Sequence, residues 1–179
     1  MSGRTRSGQG VRPAAILRYS NYVTFEATRP PLSRPDERRA LGRSAAWLAK
    51  QVEIGLAAAD LSLPQYRVLG LLDESPAVSS DLAERLAVRP PSVTAIVDGL
   101  VARGLVERRT VVADRRRVDH VLTDPGRRAL DLADTTVADR LGEIVSCLGD
   151  ESDRRQACDG LLMWRRALLS YRRARSGTR

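Results

Sequence analysis

The sequence predicts a mainly α-helical fold with one small β-hairpin, and three observations predict it. Apolar residues recur at three- and four-residue steps near both ends of the chain, the mark of long amphipathic helices. In the middle, two short helical stretches are separated by the break Arg89-Pro90-Pro91. Straight after Gly104 the period changes from 3.6 to 2, so that LVERRTVV, ADRRR and VDHVL read as strand, basic tip and strand.

In chain order, the first helix begins after Pro35, where Asp36 and Glu37 suit the positive end of a helix dipole. Its stripe is Leu41, Ala45, Leu48, Val52, Leu56 and Ala59. Trp47 and Ile54 widen it, which predicts cover on more than one side. Ser62 and Gln65 have capping-box spacing and open a second helix that Ser75-Pro76 stops. A third helix spans 79–88, with Ser79 or Ser80 as N-cap and Leu82, Leu86 and Val88 facing inward. The fourth spans 91–103, with Pro91 in its first turn and Gly104 as the closing glycine. Its Val93, Ile96, Val97 and Leu100 make one buried stripe. Two short helices joined by a tight break, the second apolar on one side only, are a helix-turn-helix arrangement.

Thr123 then caps a helix with Asp124 and Pro125 in its first turn, and Leu130, Val137, Leu141, Ile144 and Leu148 along its seam. A last helix carries Ala157, Leu161, Trp164, Leu168 and Tyr171 at 4–3–4–3 spacing. Such seams either pack on each other within one chain or meet a second copy. Their length exceeds what one small domain buries, so a second copy is expected.

Composition narrows the function. With 42% hydrophobic but only 4% aromatic residues, the interior of this 179-residue chain must be mainly Leu, Val, Ala and Ile. The net charge of +8 is focused. Residues 1–32 hold five arginines against one glutamate, residues 103–117 hold six against two acids, and the rest balances. A focused basic patch suits a polyanion, although a charge run also serves as a plain solvated face. Cys147, Cys158 and the single His120 give no metal-ligand spacing, and no nucleophile elbow is present, so neither a metal site nor an enzyme is expected. No apolar run approaches the roughly 20 residues that span a bilayer. The opening MSGRTRSGQGVRP lacks a signal-peptide core, so a cytoplasmic protein away from membranes is expected. Within the basic tail 1–34, the patch ILRYSNYVTF could pair as a strand, pack on a partner, or precede the true start.

Four pieces in order, LSLPQYRVLGLL, SSDLAERLAV, SVTAIVDGLVARGLVERR and DRRRVDHVLT, carry a resemblance. The last has Asp-x-Arg followed six residues later by Leu-Thr. Over roughly residues 36–173 the chain resembles the MarR (multiple antibiotic resistance regulator) family of winged helix-turn-helix transcription regulators. The resemblance implies a winged helix-turn-helix region over 62–123 between N- and C-terminal dimerisation helices, 35–61 and 124–174. Basic tails cover 1–34 and 175–179. It implies a homodimeric repressor on double-stranded DNA, at a pseudo-palindromic operator, relieved by a small aromatic or phenolic effector and needing no cofactor. Two alternatives stand beside it: an interaction or ligand-sensing module without operator recognition, and a nonspecific architectural DNA binder.

By the same resemblance Asp114 and Arg116 take the wing positions, the first bracing the loop and the second entering the minor groove. Arg115 and Arg117 become phosphate contacts to either side. The recognition helix offers Arg89, Pro91, Ser92, Thr94 and Ala95 to the major groove. It departs from the family at Pro90 and Ala95, where a basic residue is common, and Arg89 replaces a small N-cap. Trp47, Tyr66 and apolar residues early in the helix from Thr123 are implied walls of an effector pocket, although both aromatics also sit at core spacing. Peroxide-sensing relatives use a cysteine in the first helices, absent here; Cys147 and Cys158 are expected to be small buried fillers rather than a redox switch, because a cytosolic thiol stays reduced unless specially activated. His120 stands where an apolar residue is usual, either as a partly buried structural imidazole or as a proton switch that loosens the wing.

Overall fold

A computed structural model describes residues 34–111 and 114–176, with the side chains of residues 111–117 and 175–176 outside that set. The expectations for the tails 1–33 and 177–179 lie outside the described residues. Six helices and a hairpin follow in the order α1 (Pro35–Ala57), α2 (Leu63–Glu74), α3 (Ser79–Leu86), α4 (Pro90–Ala102), β1 (Val106–Val111), β2 (Asp114–Leu122), α5 (Asp124–Ser146) and α6 (Glu151–Ser176).

Local chemistry sets most boundaries. The Gln65 N–H donates to Ser62 Oγ at 3.4 Å and the Ser62 N–H to Gln65 Oε1 at 2.9 Å, closing the capping box of α2. The Gly126 N–H donates to Thr123 Oγ1 at 3.1 Å, which caps α5. The Thr123 hydroxyl in turn donates to the Gly104 carbonyl at 2.7 Å, tying the start of α5 to the end of α4. Gly104 has φ +69°, the left-handed turn that lets the chain leave α4 for β1. Gly126 is required for another reason: a Cβ there would lie 2.0 Å from the Leu105 carbonyl oxygen.

The core lies between α2, α3, α4 and the hairpin, with the C-terminal part of α1 and the N-terminal part of α5 over it. Leu56, Val68, Leu69, Leu82, Val93, Val97, Leu100 and Val106 are its largest fully buried members. β1 and β2 pair antiparallel, with an irregularity between Thr110 and Val111. Ala77, between α2 and α3, adds one bridge by exchanging two backbone hydrogen bonds with His120. Farther along α1 and α5, Arg140 donates from Nε and Nη2 to Gln51 Oε1 at 3.0 and 2.7 Å.

Several expectations need correction. Val88 does not face inward but is 37% exposed, because α3 ends at Leu86 and Ala87, at φ +56°, turns the chain away. Neither Ser79 nor Ser80 caps α3: Val78 occupies that position, and Ser79 is the first helical residue. The backbone of Arg115, Arg116 and Arg117 belongs to strand β2 and not to a loop tip. Cys147 and Cys158 are exposed, not buried fillers. Trp47 is 74% exposed, so the widened face of α1 has no cover among the described residues. The seam of α6 is likewise uncovered: none of the described side chains of that helix is buried, and Trp164 and Leu168 are 53% and 56% exposed.

Candidate nucleic-acid interface

Helix α4 presents two faces. Val93, Val97 and Leu100 are sealed in the core, while Arg89, Pro91, Ser92, Thr94 and Ala95 all face solvent. The start of the helix is poor in backbone donors. Pro90 and Pro91 have no N–H, and the N–H groups of Ser92 and Val93 go to the Arg89 carbonyl at 3.0 and 3.4 Å. The usual grip of a helix N-terminus on an anion is therefore weakened. The polar side chains exposed at this end are the Arg89 guanidinium and the Ser92 hydroxyl. The Thr94 hydroxyl donates back to the Pro90 carbonyl at 3.3 Å and keeps its acceptor side.

Asp98 is the acidic group on this exposed face, a charge of the same sign as DNA. Arg108 of β1 forms an ion pair with it. This pair was missed in the sequence, although a carboxylate on an exposed polar helix face was a signal that some cation must answer it. Arg103 is also committed internally, donating to the Asp60 carbonyl at 2.7 Å and pairing with its carboxylate at 3.1 Å. Arg109 pairs with Glu107. Of the basic segment 103–117, the three arginines before the turn thus have acidic partners, leaving Arg115–Arg117 as the stretch placed beyond it on β2. The side chains of Asp114, Arg115, Arg116 and Arg117 lie outside the described set.

A second feature lies away from that face. A cavity of about 490 Å³ opens between α2, α3, α5 and α6, lined among others by Tyr66, Leu71, Arg85, Leu130, Asp134 and Arg165. The Tyr66 hydroxyl donates to Asp134 Oδ1. Burial first, and the Asp134 carboxylate second, push the phenol pKa far above its ordinary value, so the phenol stays neutral and donating. Arg85 pairs with Glu74 at the same cavity. Of the expected pocket residues, Tyr66 is in the lining, with Leu130 from early α5. Trp47 is not, and it stands exposed on α1. Among the described residues no group of His, Cys, Asp and Glu is placed to hold a metal ion, and no helix is long and apolar enough to cross a membrane.

A helix-turn-helix whose second helix turns a polar face to solvent, followed at once by a two-stranded hairpin, defines a winged helix-turn-helix DNA-binding regulator. The family model described as "MarR family" matches residues 59–117. The HTH-type transcriptional repressor Rv2887 of Mycobacterium tuberculosis is 32% identical over 98 residues, covering 54% of this chain and 70% of the relative. Among solved structures, the transcriptional repressor CouR bound to a 23-mer DNA duplex is 32% identical, with a TM-score of 0.59 over 69% of this chain and 87% of that one. CouR is from Rhodococcus jostii RHA1. Rv2887 in complex with p-aminosalicylic acid is 25% identical, with a TM-score of 0.59 over 71% of this chain and 96% of that one. The chain belongs to the MarR family of transcription regulators.

Proposed function

We propose that this regulator works as a homodimeric repressor of a pseudo-palindromic operator and is released by a small aromatic or phenolic effector. One observation carries the dimer, and with it the two-lobed operator. Helix α6 leaves Leu161, Trp164, Leu168 and Tyr171 in solvent along a single seam. Leucine and tryptophan at regular helical spacing are costly to hydrate over that length, and a second copy of the same seam is the simplest cover. On this reading 35–61 and 124–174 form the dimerisation region and 62–123 the DNA-reading lobe. The two half-sites lie about 34–36 Å apart.

In each lobe α4 enters the major groove. Arg89 and Ser92 bind phosphate, Thr94 lends an acceptor, and the Ala95 methyl meets a thymine methyl, with Pro91 packed beside them. Asp114 braces the hairpin, Arg116 reaches into the minor groove, and Arg115 and Arg117 take the flanking phosphates. Because the N-terminus of α4 has few backbone donors, electrostatic contacts from β2 and the basic tails supply a larger share of affinity than base readout does. That same deficit favours, as a second reading, a binder of low sequence specificity.

The effector cavity has Tyr66, Leu71 and Leu130 for an aromatic ring and Arg165 for an anionic group, with Arg85 held by Glu74. Its volume falls within the usual range for small-molecule sites, about 300–1,000 Å³. CouR of Rhodococcus jostii RHA1 has been solved with p-coumaroyl-CoA, and Rv2887 with p-aminosalicylic acid; both ligands are aromatic. Since the cavity's walls come from α2 and α3 on one side and α5 and α6 on the other, an occupant changes the angle between lobe and dimer helices. The spacing of the two recognition helices changes with it.

The test is binding to the upstream region of the protein's own gene, with unrelated duplex as competitor. Arg116→Ala is expected to weaken binding several-fold and to flatten the dependence of log affinity on log salt by roughly one unit. An unchanged salt slope would remove Arg116 from the DNA contact. If removing residues 1–32 abolishes binding altogether, the nonspecific reading replaces the operator reading.

A further inference from the structure

His120 is the only histidine in the chain, and it is 3% exposed. It sits on β2 where the hairpin meets the start of α3. Its backbone N–H donates to the Ala77 carbonyl at 2.8 Å, and its carbonyl accepts from the Ala77 N–H at 3.2 Å. Its ring Nε2 lies 2.8 Å from Ser79 Oγ, on the first residue of α3. The other ring nitrogen, Nδ1, is buried and has no hydrogen-bond partner among the described residues. Directly across the ladder, β1 places Arg108.

These contacts fit a neutral imidazole and not a charged one. A neutral ring needs only one N–H donor satisfied, and Ser79 is there to share it. An imidazolium carries N–H on both nitrogens. The proton added from solvent at Nδ1 would be buried without an acceptor, beside the Arg108 guanidinium and close to the positive end of α3. Asp119 on β2 and Asp98 on α4 offset part of that repulsion without removing it. Burial first, and Arg108 second, hold the ring below its ordinary value of 6.5.

We propose that His120 is a positioning residue for DNA binding: its neutral ring holds the wing strand against the start of α3, and protonation releases that joint and weakens the hold on DNA. The inference rests on the reading of the hairpin as the DNA-contacting wing. The sign follows from linkage. The released state has the ordinary affinity for a proton and the joined state a lower one, so the joint is fully present above about pH 6.5. It weakens as the pH falls from there toward the lower value of the joined state, by up to roughly tenfold per pH unit.

Two titrations of the full chain test this, each on the wild type, His120→Gln and Ser79→Ala. In the free protein, NMR follows the single imidazole and the amides of Ala77 and Ser79 between about pH 8 and about pH 5. Fluorescence anisotropy with the upstream duplex follows affinity over the same range at fixed ionic strength. The imidazole is expected to titrate below its ordinary value, and the Ala77 and Ser79 amides to shift along the same curve. Wild-type affinity should fall along that curve, while His120→Gln, which can bond Ser79 but cannot take a proton, stays flat at whatever level it binds. In Ser79→Ala the midpoints of ring and affinity should move together. The proposal is overturned if the ring titrates normally without a response at Ala77, or if wild type and His120→Gln lose affinity in parallel. Should His120→Gln fail to fold, a Ser79→Ala affinity curve that ignores its shifted ring midpoint overturns it equally. A chain that binds no duplex at any pH sinks the operator reading, and the NMR titration alone then upholds or overturns the joint.

Discussion

The middle of the molecule and its two ends use the same residue types to opposite result. In α4, valine and leucine at helical spacing are sealed completely, with Val93, Val97 and Leu100 at zero exposure. In α6 the same spacing puts Leu161, Trp164 and Leu168 into water, and Leu41 and Trp47 on α1 share that fate. Periodicity therefore says which face of a helix is apolar, but not whether the same chain supplies its cover. The core of the helix-turn-helix lobe is sealed within one chain. The seams near the ends have no cover among the described residues, and on the homodimer reading they are half of an interface.

That contrast can be broken in three places. Leu100→Ala, inside the sealed lobe, should lower the unfolding free energy by about 2–5 kcal/mol, read from urea denaturation. A loss below 1 kcal/mol, roughly the cost of a surface change, would mean that the lobe is not close-packed. Leu168→Glu, on the uncovered seam, should leave the helical circular dichroism of the chain nearly intact and convert dimer to monomer in light scattering. A dimer that persists would place the interface elsewhere. Ser62→Ala sharpens the comparison at its smallest scale, removing one side of a capping box for about 1 kcal/mol without touching assembly.

The same contrast explains what was legible in the sequence. Features set by neighbours in the chain were readable: the Ser62 and Gln65 capping box, the break at Pro90, the turn at Gly104 and the cap at Thr123. Features set by distant residues were not. Asp98 finds Arg108 on the next element, Tyr66 finds Asp134 sixty-eight positions away, and Ser79 spends its hydroxyl on His120 instead of capping its own helix. Val88 was misjudged because left-handed Ala87 is a conformation that a non-glycine residue does not announce. Of the cavity lining, Tyr66 and the start of α5 were legible, whereas Arg85, Asp134 and Arg165 come from three separate helices with no shared local pattern.

The central claim is that two chains, joined by their uncovered ends, present two complete lobes to one duplex. Native mass spectrometry of the protein with its upstream DNA measures this directly. Two chains of 19.7 kDa per duplex, with Leu168→Glu lost from that species, is the predicted result. One chain per duplex, or no complex even in dilute salt, would contradict it.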